Sequence, residues 1–494
     1  MVESNSEKSL DAKTFELNDF EKLLNQEFQP KSEEANEAVH SAVKTLIAEA
    51  LQNANLIKGG VINTIEGIIA ELDKKLSMQI NEIIHHDDFQ SMESAWRGLY
   101  FLVNNTASSE SLKIKVLNIS KNELGKTLKK YKGTAWDQSP LFKKIYEEEY
   151  GTAGGEPFGA LIGDYYFNQT APDVDLLRSM AQIAAASHAP FISSVDPSMM
   201  NLNSWQELAN PRDISKIFST PEYAVWRSFR ESDDSRYVAL TLPRMLSRLP
   251  YGVNTNPVEE FAFEEDTGSG DSAKYSWMNA AYGMGVNINR SFAEYGWCAR
   301  IRGVESGGIV ESLPMHTFPS DEGGIMAKCP TEIAITDRRE AELSKNGFLP
   351  LCYWKNTDYA VFLGGQTVNK PQEYDNKDAT ANANLSARLP YIFAVSRFAH
   401  YLKCIVRDKL GSFKERQDMQ NWLSNWISNY VTSDPNAPEE VKAKYPLAEA
   451  KVEVDTIEGQ PGYYSAKFYM RPHYQLEGLT SSLRLVSKLP SGQK

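Results

Sequence analysis

Between positions 61 and 83 the chain sets Ile62, Ile65, Ile69, Leu72, Leu76, Ile80 and Ile83 on one stripe, the three- and four-residue spacing of a helix with one apolar face. Upstream, Val39, Val43, Leu46, Ile47, Ala50 and Leu51 repeat that spacing before Gly59 and Gly60 interrupt it. A third helix is expected after Asp87 and Asp88, whose carboxylates suit an N-cap, and it is expected to bury Phe89, Met92, Trp96 and Leu99. Residues 38–105 therefore read as a helical region.

From about residue 111 the period changes to the alternation of strands. "SLKIKVLNI" (111–119) reads as a half-exposed strand, and "FGALIGDYYF" (158–167), a helix over 173–187 and "APFISSV" (189–195) follow as a βαβ-like series. Further strands are expected at 236–242, 331–336, 347–354 and 359–365, with "EEDTGSGDS" (264–272) a solvated loop. A long helix is expected from about 381 through "SARLPYIFAVSRFAHYLKCIVRDK", kinked at Pro390, then a second carrying Trp422, Trp426 and Tyr430. Strands at 450–456, 463–471 and 478–489 close the chain, the last with Leu479, Leu483, Leu485 and Leu489 on one face.

These patterns predict an α/β fold with mixed sheets and several domains: 1–37 an arm, 38–105 helical, 106–379 a middle α/β domain, and 380–494 C-terminal helices plus strands. The arm holds ten acids against four lysines, yet keeps apolar anchors such as Phe15 and Leu17. A segment so charged cannot offset its own ordering entropy, but a short alternation like "TFEL" can be ordered by pairing with another chain.

Composition narrows the function classes. The 494 residues carry a net charge of −13, which argues against a general nucleic-acid or anionic-membrane binder, since phosphate needs a concentrated basic field. Four cysteines without CxxC spacing (Cys298, Cys329, Cys352, Cys404) read as reduced core thiols. The first residues lack a basic region followed by an apolar run, and no apolar stretch of about 18 residues occurs, so neither a signal peptide nor membrane insertion is expected.

Chemistry is sparse. "GKT" at 125–127 follows a strand-like segment, but a phosphate loop needs glycine where Ser120 stands, and Glu123 would repel a nucleotide. Lysines on a solvated helical turn are the better reading. "AYGMGVN" starts a dinucleotide fingerprint that fails at Ile288. His85, His86, Asp87 and Asp88 are too close in sequence to converge on one metal, and His188, His316, His400 and His473 lie in no recognisable nucleophile signature. No catalytic, metal or cofactor residue is expected. Arg227, Arg230, Arg236, Arg244 and Arg248, in an aromatic-rich stretch, suit internal ion pairs or a protein interface.

The same stretches carry a family resemblance. "FGALIGDYYF", "HAPFISSVDPSM", "WRSFRESDDSRYVALTLPRMLSRLPYG", "NAAYGMGVNINRSFAEYGWCARIRGVESGG", "KCPTEIAITDRREAELSKNGF", "ANANLSARLPYIFAVSRFAHYLKCIVRDKLGSF" and "RPHYQLEGLTSSLRLVSKLP" resemble the large sheath subunit of the type VI secretion system, the TssC (VipB, EvpB) family. The resemblance spans about residues 38–490; Tyr166, where a glutamate is expected after "GDY", is a local departure.

What it implies is a contractile-sheath fold related to phage tail sheaths and a structural, non-enzymatic role in the bacterial cytoplasm. The implied partners are a small sheath subunit, further copies of the chain in a helical lattice, an inner tube of hexameric rings, a baseplate and a Clp-type AAA+ unfoldase. Strand exchange between protomers is implied too, with Phe15 and Leu17 as candidate donors and Phe468, Met470, Leu483, Leu485 and Val486 as acceptors. Val43, Leu46, Ile65 and Ile69 are the candidate contacts to the small subunit. Two other readings remain at this point: a nucleotide-using enzyme built on the "GKT" turn, and a scaffold that does not polymerise.

Overall fold

The computed structural model describes residues 41–42, 61–210, 213–268, 270–319, 324–409, 415–457 and 464–475, without the side chains of 61–65, 68, 319 and 409. The chain divides into two compact units, Met1–Gln90 with Leu249–Tyr275, and Ser91–Arg248 with Ser276–Lys494.

In the first unit the isoleucine stripe forms α1 (Val61–Ile84). A side-chain bond joins this helix to the loop expected at 264–272. Asn81 donates to the Glu264 carbonyl at 3.2 Å and accepts from the Asp266 amide at 2.8 Å. Glu265 in turn accepts from the Tyr251 amide at 2.8 Å and lies 3.5 Å from His85. The His-His-Asp-Asp run is a helix junction, and no cluster of metal-binding side chains occurs among the described residues.

The second helix, α2 (Asp87–Asn104), starts at the aspartate pair. From there the chain runs through α3 (Lys121–Lys129), β1 (Leu161–Phe167), α4 (Ala171–Ser187), β2 (Phe191–Val195) and β3 (Val238–Leu242). It continues through α5 (Ala280–Tyr295), β4 (Ile309–Val310), β5 (Leu349–Tyr353) and β6 (Ala360–Phe362).

The second unit is organised by a six-stranded sheet in the order β1-β2-β3-β5-β6-β4. β1, β2, β3 and β5 run parallel; β6 is antiparallel to β5, and β4 is antiparallel to β6 and so runs in the direction of the parallel set. Both central strands are buried along their whole length, because helices cover both faces of a parallel sheet. Successive residues feed opposite cores: Phe191, Val238 and Leu240 pack with Leu177 and Trp226 on one side. Ile192 and Ala239 pack with Met284 and Phe362 on the other. Ser193, buried in β2, is satisfied by donating to the carbonyls of Gly163 and Tyr165 at 2.8 and 2.9 Å.

The "AYGMGVN" glycines lie inside α5 and serve packing. A Cβ at Gly283 would meet Val310 at 3.2 Å, and one at Gly285 would meet Leu102 at 3.0 Å. Asn279 caps this helix by accepting from the Ala281 amide at 2.8 Å, and accepts from buried Ser194 at 2.6 Å.

Three expectations are corrected. "TEIAIT" is not a strand; Thr331 makes only an isolated bridge to Met245. "SLKIKVLNI" has strand sequence but no ladder. The kinked helix is two helices, Lys377–Ser386 and α6 (Leu389–Lys409). Proline disfavours a helical residue before it and lacks an amide donor, so Pro390 opens a helix instead of bending one. The break is held from outside, where the Leu389 amide donates to the Gly365 carbonyl at 2.8 Å.

Of the five arginines, two form internal pairs: Arg244 with Glu332 at 2.8 Å and Arg248 with Glu93 at 2.6 Å. Arg230 instead donates to the Val368 carbonyl at 2.9 Å, Arg227 to those of Phe218 and Thr220, and Arg236 meets exposed Asp233. Burial brings the Arg230 guanidinium down to about 10.

A half-buried histidine pair predicts acid sensitivity. His400 donates from Nε2 to the Ser187 carbonyl at 2.8 Å, and its ring lies 6.2 Å from that of His188. Burial, only partly offset by that hydrogen bond, depresses His400 to about 4, with His188, Arg397 and Lys403 adding to the effect. An unfolded histidine protonates near 6.5, so between about pH 6.5 and pH 4 the unfolded chain binds the extra proton. Stability is therefore full above that window and falls as pH drops through it, by about 3 kcal/mol for this group. Melting at about pH 7.5 and about pH 5 should give a smaller acid shift for His400→Gln than for the parent. An equal shift in both would remove His400 as the cause.

Candidate assembly interface

The C-terminal part of the second unit is built on its own core. α6, α7 (Arg416–Ser428), β7 (Leu447–Thr456) and β8 (Tyr464–Pro472) enclose Trp297, Phe398, Leu423 and Ile427. Phe398 is fully buried, its ring 4.6 Å from Trp297 and 5.5 Å from Tyr430. β7 and β8 pair antiparallel from Leu447↔Pro472 to Thr456↔Tyr464. Alternation sends Val452 and Val454 inward, with Phe468 and Met470 half-buried beside them, and a register irregularity between Leu447 and Glu449 lets Leu447 join the same core. The other face is charged, with cross-strand pairs Arg471–Glu449 at 3.1 Å and Lys467–Asp455 at 3.3 Å.

The edges of this sheet matter more than its faces. Leu447 exchanges backbone bonds with Tyr430 and Thr432; beyond it, no further strand pairs with β7 or β8 among the described residues. A two-stranded ribbon is marginal alone, and its unpaired amides and carbonyls form a template for an added strand. Phe468 and Met470 thus pack into the chain's own core, and what they leave available at the edge is backbone. Phe15, Leu17, Leu483, Leu485 and Val486 lie outside the described residues, as do Val43 and Leu46. Ile65 is on α1 with its side chain outside the description, and Ile69 on α1 is 47% exposed.

α2 presents a surface that the sequence pattern assigned to the core. Its buried residues are Ser94, Gly98 and Leu102, whereas Met92 is 53% and Trp96 69% exposed, and Tyr100 and Val103 continue the exposed stripe. The reason is close approach: a Cβ at Gly98 would lie 2.3 Å from Tyr282 Cε2, so only small residues let the helix sit that near. The signal was available as Ser94-x3-Gly98, a small-residue stripe opposite an apolar one.

The 111–119 stretch lies just after α2. Residues 113–119 make no backbone–backbone hydrogen bond among the described residues. Ile114 packs inward, Val116 and Leu117 are exposed, and Lys113 and Lys115 pair with Glu156 and Glu149. The "GKT" residues sit inside α3, whose Ser120 cap accepts from the Glu123 amide at 3.2 Å. They form helix, with Lys126 and Lys129 exposed, and make no phosphate cradle.

Comparison with known proteins decides the family. Residues 66–369 match the model described as EvpB/VC_A0108, tail sheath N-terminal domain, and residues 378–489 the tail sheath gpW/gp25-like domain. The chain belongs to this tail sheath family. One relative, the type VI secretion system sheath protein TssC1 of Pseudomonas aeruginosa, is 65% identical over 97% of each chain. A chain in the cryo-EM structure of an anti-feeding prophage baseplate aligns with a TM-score of 0.36 at 12% identity, covering 77% of this chain and 84% of that one.

Family membership makes this a structural sheath subunit of the type VI secretion system, with its mixed helices and sheets arranged as a tail sheath domain pair. Among the described residues no helix is long and apolar enough to cross a membrane.

Proposed function

We propose that this sheath protein is the large subunit of a contractile tube, pairing with a small subunit and joining its neighbours by exchanging strands. The observation that carries this is the β7–β8 ribbon, packed on one face and lacking a partner strand along most of its length among the described residues. Adding a strand there satisfies backbone groups and links protomers at once. The acidic arm around Phe15 and Leu17 is the proposed donor, and 478–489 is proposed to widen the acceptor sheet.

The exposed stripe of α2 is proposed as small-subunit surface, and Ile69 on α1 is proposed as a separate small-subunit contact of the first unit. Rigid α/β bodies then shift during contraction while short linkers such as residues 30–37 keep the lattice connected. Work comes from a metastable extended lattice settling into a better-packed one, without catalysis by this chain. The tube is proposed to form in the cytoplasm around an inner tube, against a baseplate, and to be recycled by a Clp-type unfoldase.

Electron microscopy of the chain co-expressed with its small partner, beside a version lacking residues 1–30, tests the reading. Contractile tubes from the full-length pair and none from the truncation are expected. Discrete particles of finite mass from the full-length pair would instead favour a scaffold that does not polymerise. Normal contractile tubes from both would leave the sheath and remove the arm.

A further inference from the structure

Between α3, the turn that follows it and α4 lies a cavity of about 260 Å³, lined by Leu128, Tyr131, Trp136, Asp175, Arg178 and Ile183 among others. Lys132 and Asp175 at its rim neutralise each other as an ion pair. Arg178 has no such partner: its Nε is buried without a hydrogen bond, and no ion pair reaches the guanidinium among the described residues. Lys129 and Lys130, next to the lining in sequence, are exposed and likewise unpaired among the described residues. Arg178 is partly buried between apolar Leu128, Trp136 and Ile183 and polar Ser179 and Gln182, and its buried Nε donor is costly to leave unfilled unless an acceptor arrives.

We propose that this pocket is an anchor for a carboxylate side chain of the acidic N-terminal segment, residues 1–37, of this chain or a neighbouring copy. A carboxylate matches the planar guanidinium fork, and the volume suits one side chain more than a free cofactor. Charge selects the occupant. The molecule is acidic overall, with a net charge of −13, so an uncompensated basic pocket stands out. Residues 1–37 hold ten carboxylates against four lysines and lie outside the described structure. The anchor goes beyond strand exchange and needs no tube to operate, since one acidic residue can dock while another part of the arm pairs as a strand.

A photo-reactive phenylalanine analogue at Tyr131, in the full-length chain co-purified with its small partner, tests the occupant directly. Mass spectrometry should map the cross-links to residues 1–37. Arg178→Gln should lower their yield about tenfold, the loss expected when a charge-assisted hydrogen bond is removed. A second version replaces the ten arm acids by their amides and leaves residues 38–494 unchanged, and its yield should fall similarly. Cross-links to a different protein or to residues outside 1–37, no cross-links, or an unchanged yield in the amide version would overturn the proposal. Because tube formation is not the readout, failure here is distinct from failure of the sheath reading.

Discussion

An Arg248→Met variant is expected to lose about 3 to 5 kcal/mol of unfolding free energy, the cost of leaving a buried charge without its partner. Arg248 and Glu93 side chains are only 6% and 10% exposed, and two guanidinium nitrogens reach the carboxylate at 2.6 and 3.2 Å. Burial by itself would raise the Glu93 carboxyl, but the hydrogen bonds and charges of Arg248 and Arg97 outweigh it and hold the group below its usual value. Arg97, at 2.7 Å, is the more exposed of the two arginines and compensates only in part. Urea unfolding measures the loss. Adding Glu93→Gln to Arg248→Met should recover part of it, because the double variant no longer buries a lone carboxylate. A single-variant loss under about 1 kcal/mol would mean that the pair behaves like a surface contact.

The second large effect concerns the ribbon's foundation. Phe398→Ala removes a fully buried ring that touches Trp297, Trp426 and Tyr430, and is expected to cost about 3 to 5 kcal/mol. The cavity lies beneath β7 and β8, so the loss should be concentrated there. Hydrogen exchange should accelerate in 447–456 and 464–472 while β2 and β3 retain their protection. Assembly with the small partner should weaken in parallel if the ribbon is the acceptor for a neighbour's strand. Uniform acceleration throughout the second unit would show that the C-terminal core is not separately cooperative.

Elements with a strong period are legible in the sequence. β1, β2, β3, β5 and the helix at Ala171–Ser187 fall close to where alternation and spacing put them, since a central parallel strand is predominantly apolar and its crossover helix must show one apolar stripe. The site was less legible. Met92 and Trp96 have the spacing of core residues, yet periodicity finds a stripe without saying which side of the helix meets the protein. Gly98 against Tyr282 settles that side, and the contact joins residues nearly two hundred positions apart.

The sequence by itself determined the α/β class, the sheath family resemblance, the poverty of catalytic and metal motifs, and the alternation of the terminal strands. These follow from local spacing and residue chemistry, which need no partner to be read. Only the tertiary structure decided that 113–119 joins no ladder among the described residues, that Pro390 begins a helix, and that the Nε of Arg178 is buried without an acceptor. Each depends on what other parts of the chain bring or fail to bring within hydrogen-bond or packing distance, and no local pattern encodes that.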